Sequence, residues 1–206
     1  MSEKKSADFF PYTEQDLDAL KKKDKKLSDV IERYGIIERK INSDVFSALV
    51  GSIISQQISG KAADTVEARL VALCGGITPE RIYNTEISAI QQCGTSMRKA
   101  GYIKAAGKAV YTGAIDLSSL ANLSDDDIIR LLSSLPGVGV WTVEMLLIFS
   151  LGRMDVLSYG DLAIRRGLCK LYGHETLTQG QFAEYKKRYS PYGSLASLYL
   201  WKLSVE

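Results

Sequence analysis

Apolar positions recur at helical intervals along almost the whole chain. Val45, Phe46, Leu49, Val50, Ile53 and Ile54 fall on one face of a helix. Ser43 or Asp44 stands where that helix needs an N-cap. Gly60 to Cys74 predicts a second helix, stopped by Gly75-Gly76. Thr78-Pro79-Glu80 reads as a cap followed by proline at the first helical position. Ser124-Asp125-Asp126-Asp127 opens another helix, and its acidic first turn suits the helix dipole. Further helices are predicted near 13–34, 97–112, 141–151, 161–172, 178–189 and 193–203. No two-residue alternation is bounded by hairpin turns, and no repeat of fixed period is evident. The pattern predicts an all-α fold of roughly ten helices.

Composition narrows the function classes. An apolar share of 46% with 24% charged residues excludes a disordered chain. The longest apolar runs fall well short of the roughly 20 residues that span a bilayer, so no membrane partner is expected. The start Met1-Ser2-Glu3-Lys4-Lys5 has no apolar segment behind its lysines, so an intracellular protein is expected. Cys74, Cys93 and Cys169 are too few for a disulfide framework or a four-thiolate cluster. His174 is the sole histidine and reads as a surface residue at a helix exit, which argues against a zinc site or a His-based triad. Chemistry here is expected to rest on carboxylates.

The segment Leu135-Pro136-Gly137-Val138-Gly139-Val140-Trp141-Thr142 lies between two apolar helices. Two glycines two apart permit a tight turn whose N–H groups point outward together. The free N–H groups and positive dipole end of the next helix add to them. Such an assembly holds a phosphate without Lys or Arg. It positions a protein on a nucleic-acid backbone without reading sequence.

This octet resembles the hairpin of the helix–hairpin–helix superfamily of DNA base-excision glycosylases. Asp161 follows Gly139 by 22 residues, in Asp155-Val156-Leu157-Ser158-Tyr159-Gly160-Asp161-Leu162-Ala163-Ile164-Arg165-Arg166, and matches the superfamily's essential Asp. Ile54-Ser55-Gln56-Gln57-Ile58-Ser59 resembles the helix-end segment that approaches the lesion. Met97-Arg98-Lys99-Ala100-Gly101-Tyr102, Tyr189-Ser190-Pro191-Tyr192 and Trp201 match further segments. The branch it resembles is 3-methyladenine DNA glycosylase II.

The resemblance implies one compact glycosylase domain over residues 1–206. A central lobe over approximately 41–170, and a lobe made of approximately 1–40 with the C-terminal helices, would flank a DNA-binding cleft. It implies excision of alkylated purines, of the 3-methyladenine and 7-methylguanine type, from duplex DNA in base excision repair. Bifunctional members carry a lysine where Trp141 stands, so no Schiff base forms and no lyase activity is expected. No cysteine follows Cys169, so the iron–sulfur cluster of other members has no ligands. The branch's N-terminal β-rich domain is not expected ahead of the first matching helix.

Base removal develops positive charge on the sugar, which a nearby carboxylate stabilises. Asp161 is the catalytic candidate, and a helix N-terminus favours its ionised form. A flipped, electron-poor base is held between aromatic faces. The resemblance assigns the base pocket to Gln56, Trp141, Met145, Tyr159 and Trp201. It assigns DNA contacts to Gln57, Ser59, Arg98, Lys99, Gly137, Val138, Gly139, Thr142 and Arg165, with Gln57 as the side chain entering the emptied stack. No cofactor or metal is implied beyond a monovalent cation at the hairpin carbonyls. The expected partner is damaged duplex DNA, bound by a monomer. A non-catalytic hairpin module gripping DNA, or a glycosylase for deaminated bases such as hypoxanthine, are the alternatives.

The net charge of +2 does not argue against DNA. Arg98, Lys99, Lys104 and Lys108 lie in an acid-free stretch, as do Arg165, Arg166 and Lys170, and again Lys186, Lys187, Arg188 and Lys202. These eleven of the 26 Lys and Arg residues are candidate phosphate contacts, and the rest of the chain is net acidic. The run Lys21-Lys22-Lys23-Asp24-Lys25-Lys26 reads as a solvated helix face.

Overall fold

The computed structural model describes residues 9–206. The Met1–Lys5 start lies outside the described residues. Among those residues the chain forms twelve α-helices and one 3₁₀ turn, Leu117–Asn122, with a single isolated antiparallel bridge between Phe9 and Lys40. The helices are α1 Glu14–Lys23, α2 Lys25–Tyr34, α3 Val45–Ser55, α4 Gly60–Cys74, α5 Pro79–Asn84, α6 Ile87–Gln92, α7 Met97–Tyr111, α8 Asp125–Leu132, α9 Val140–Phe149, α10 Leu162–Tyr172, α11 Gln179–Tyr189 and α12 Gly193–Ser204. No described helix is long and apolar enough to cross a membrane.

Short polar side chains start most of these helices. Asp44, Ser59, Thr78, Ser96, Ser124 and Thr178 each accept an N–H from the first turn behind them. The single helix predicted over 13–34 is two. Asp24 is extended at φ −152°, and its Oδ1 accepts the Leu27 N–H at 2.9 Å, so α2 begins afresh there. The lysines around it favour helix, but a buried cap residue with long-range partners overrides propensity. Tyr172 Oη donates to Asp24 Oδ2 at 2.6 Å, and Arg188 Nη1 donates to the same oxygen at 2.8 Å. Burial raises the Asp24 pKa, but the bonds from Tyr172, the Leu27 N–H and Arg188 outweigh it and hold the carboxyl below its ordinary value.

The chain divides into two units. One is Asn42–Leu146. Here α7 is the centre, packed by α3, α5 and α6. Ala100, Ile103 and Ala106 of α7 are fully buried. Gly107 admits α5 so closely that an added Cβ would sit 2.6 Å from Ile82 Cγ2.

The other unit comprises the described residues up to Ile41 together with Leu147–Glu206. Its core helix is α12, buried from Gly193 to Leu200. α10 packs against it, and a Cβ on Gly167 would lie 2.9 Å from the Leu200 carbonyl carbon. The central lobe drawn to about residue 170 therefore ends at Leu146. α10 belongs with α12 and α2, because its buried face is Ile164, Gly167 and Leu168.

Candidate active site and nucleic-acid contacts

In the Asn42–Leu146 unit, α8 ends in two tight turns. Leu135 N–H donates to the Leu132 carbonyl and Val138 N–H to the Leu135 carbonyl, both at 3.1 Å. Leu135 and Val138 are buried and anchor the turn from below. Gly137 takes φ +79°, and a Cβ there would run into the Tyr102 ring, 2.7 Å from its Cγ. Only glycine satisfies both conditions. Gly139 has open space around it. α9 follows at once, with Val140 and Trp141 half-exposed at 52% and 47%. The N–H groups of Gly139 and Val140 have no partner among the described residues and lie on this exposed rim. Free N–H groups at the start of a helix are the kind that can accept an anion.

The end of α3 is tied to this hairpin. Gln56 Nε2 donates to the Gly137 carbonyl at 2.8 Å. The next residue, Gln57, is exposed at φ +59° and is the only non-glycine residue with positive φ among those described. Ser59 Oγ then caps α4 through the Ala62 N–H at 3.3 Å. The Leu135 and Gly137 carbonyls both already accept protein donors. A cation there would have to share those oxygens.

In the other unit, Asp161 caps α10. Its Oδ1 accepts the Ala163 and Ile164 N–H groups, each at 2.9 Å, and the residue is 7% exposed. A carboxylate so placed is fixed in direction by the helix and faces its positive end. The loop leading to it is laced to the end of α11 and the first turn of α12. Asp155 accepts the Ser190 hydroxyl at 2.6 Å and the Gly193 N–H at 3.1 Å. Ser194 Oγ donates to the Arg153 carbonyl at 2.6 Å and accepts the Val156 N–H at 2.9 Å. The same α12 carries Trp201, half-buried, with its ring 5.3 Å from that of Phe149. The Arg39 guanidinium lies 4.8 Å from the Phe149 ring centre.

Known proteins share this fold. The model of the HhH-GPD superfamily of base excision DNA repair proteins matches residues 50–191, which spans the hairpin and Asp161. The chain belongs to this superfamily. DNA-3-methyladenine glycosylase 1 of Schizosaccharomyces pombe is 32% identical over 185 residues, covering 87% of this chain and 81% of that protein. The crystal structure of a DNA-3-methyladenine glycosidase from Bacillus halodurans superimposes with a TM-score of 0.85 at 35% identity, over 95% of this chain and 92% of that one. The Schizosaccharomyces pombe 3-methyladenine DNA glycosylase solved in complex with abasic DNA gives 0.79 at 30% identity, over 91% and 95%.

Within this HhH-GPD protein the predicted contacts separate into two groups. Gln56, Gln57, Ser59, Gly137, Gly139 and Trp141 cluster around the α3 end and the hairpin, with Met145 half-buried on α9. Asp161, Tyr159, Arg165 and Trp201 belong to the other unit. Several assignments change. The Val138 N–H is spent inside the turn, and its side chain is core. Thr142 is buried at 5%, because α9 turns that face inward. Tyr159 is already engaged: Phe182 meets its ring edge-on at 5.1 Å, and the Arg165 guanidinium lies over it, also at 5.1 Å. Arg165 is thereby drawn onto Tyr159, and its Nε is buried without a hydrogen-bond partner. His174 is half-buried and hydrogen-bonded to Tyr185 Oη at 2.7 Å.

Three of the eleven cations are helix caps. Lys99 Nζ donates to the Ile54 carbonyl at 2.8 Å and to the Gln56 carbonyl, at the end of α3. Lys104 Nζ donates to the Tyr83 carbonyl and, at 2.6 Å, to that of Thr85, at the end of α5. Lys170 Nζ reaches the Leu203 and Ser204 carbonyls at 3.4 and 3.5 Å, at the end of α12. Each meets the orphan carbonyls and negative dipole end of a helix distant in sequence. Burial and the neighbouring Arg98 push the Lys99 ammonium below its ordinary pKa. Sequence reading missed Asp155 and Ser194. Asp155 sits six residues before Asp161, but its partners come from more than thirty residues away.

Proposed function

We propose that this protein is a monofunctional DNA glycosylase that flips alkylated purines out of duplex DNA and hydrolyses their N-glycosidic bond in base excision repair. The observation that carries this reading is the buried Asp161 carboxylate, oriented by two N–H groups of α10, in a chain matched by 3-methyladenine glycosylases at 30% identity or more.

The chemistry follows from those residues. The bond between C1′ and the base nitrogen breaks with its electron pair leaving on the base. Positive charge grows on the sugar, and the Asp161 carboxylate opposes it. Water adds to C1′ and gives up a proton. An alkylated purine carries positive charge before cleavage and leaves as a neutral molecule, so no general acid is needed. Trp141 and Trp201 supply aromatic faces for the flipped base. The Gly139 and Val140 N–H groups take a backbone phosphate. Gln57 fills the vacated stack, and the exposed Arg98 adds a phosphate contact. No cofactor takes part, the acting form is a monomer, and the location is intracellular.

The test is base release from a panel of duplexes carrying 3-methyladenine, 7-methylguanine, hypoxanthine or 8-oxoguanine. Free methylated base and an uncut abasic strand are the expected products. Tight duplex binding with no release from any substrate overturns the reading.

A further inference from the structure

The turn after α3 combines two unusual features. Gln57 holds an exposed left-handed backbone conformation that is unfavourable for a residue with a Cβ. Glycine would sit there without strain, so a side chain carried there at a cost in backbone energy points to a use for it. The second feature is Lys99. Its ammonium reaches across from the first turn of α7 and holds the two carbonyls that flank Ser55, those of Ile54 and Gln56. The Gln56 carbonyl belongs to the peptide unit joined to Gln57, so the lysine grips the entry to the strained residue itself.

α7 also supports the hairpin. Tyr102 lies one turn beyond Lys99 on the same helix face, and its ring is the surface on which Gly137 rests. The Gln56 side chain closes the loop by donating to the Gly137 carbonyl. One rigid helix thus sets the position of both the phosphate-holding hairpin and the Gln57 turn. Two of the three Lys99 ammonium donors are thus turned to protein carbonyls.

We propose that Lys99 is a positioning residue for base flipping, holding Gln57 in the conformation that presents its side chain to the emptied stack. The inference rests on the glycosylase reading above. Lys99 touches neither base nor sugar; it acts through the backbone of Gln57.

The experiment measures flipping and cleavage separately. Duplex with 2-aminopurine beside 7-methylguanine reports unstacking by its fluorescence, and single-turnover base release reports cleavage. Lys99→Met keeps the aliphatic stem and removes the ammonium. It lowers the flipping equilibrium about tenfold, the scale of a charge-assisted hydrogen bond, with undamaged duplex bound as before. Lys99→Arg restores most of the signal. In a Gln57→Gly background Lys99→Met costs nothing further, because there is no side chain left to hold in place. Thermal melts screen every variant; if Lys99→Met does not fold, Lys99→Gln is read in the same cycle. An undiminished flipping signal in the Lys99 variant, or an equal loss in both backgrounds, overturns the positioning role. No base release by the wild-type protein overturns the glycosylase reading instead.

Discussion

Gly137 rests on the Tyr102 ring so closely that no side chain fits between them. With φ at +79° as well, this glycine is required twice over, whereas Gly139 two residues on meets nothing within 4 Å and has no positive φ. The two glycines of the hairpin therefore differ in kind. Gly137→Ala costs roughly 2–4 kcal/mol by overpacking and backbone strain. Gly139→Ala leaves the thermal midpoint nearly unchanged. Parallel thermal melts check both, and equal destabilisation by the two substitutions would contradict the packing described.

The cationic residues divide in the same way. Lys104 and Lys170 bond to the carbonyl ends of α5 and α12, while Arg98 is exposed. Lys104→Met lowers stability and leaves the salt dependence of DNA affinity intact. Arg98→Ala leaves stability intact and reduces the slope of log affinity against log salt by about one. Binding titrations over a salt series distinguish the two; a reduced slope for Lys104→Met would return that lysine to the phosphate contacts.

Trp141, which by resemblance takes the place of the lysine of strand-cutting relatives, is 47% exposed. No amine is therefore available there to attack C1′. Borohydride added during reaction with alkylated duplex traps no covalent protein–DNA adduct, and the abasic strand stays whole until treated with alkali. A trapped adduct on a denaturing gel would refute monofunctional action.

Asp24 contributes to acid stability. Its folded pKa lies below the ordinary 3.8, so the stability it contributes is complete above that value and is lost as pH falls through the folded pKa. The unfolding free energy thus drops as pH goes below about 4, and Asp24→Asn flattens that limb of the curve. Denaturant unfolding at several acidic pH values measures it. Identical acid limbs for wild type and Asp24→Asn would contradict the network with Tyr172 and Arg188.

The helices were legible because their signals are local. Asp44, Thr78 and Ser124 announce starts, Gly75 announces a stop, and the apolar spacing does the rest. Asp161 and the hairpin were legible because one carboxylate and two glycines keep a recognisable spacing. The break at Asp24 was not, since its cause is a tyrosine and an arginine more than 140 residues away. The lysines misled for the same reason. An acid-free stretch looks free to meet phosphate, yet Lys99, Lys104 and Lys170 find carbonyls that only tertiary packing brings near. Val138 and Thr142 lie in the right octet but face the core, which a motif does not reveal.

In the proposed reaction the Asp161 carboxylate carries the chemistry, while its cap on α10 carries structure. Asn at this position keeps an oxygen for the Ala163 and Ile164 N–H groups and removes only the charge. Single-turnover release of 7-methylguanine from duplex DNA by Asp161→Asn, beside its affinity for an abasic-site duplex, tests this most directly. The expected rate is lower by about 10²–10³, the scale of removing one preorganised electrostatic partner, with affinity and thermal midpoint essentially unchanged. An Asp161→Asn protein that releases the base at the wild-type rate would contradict it.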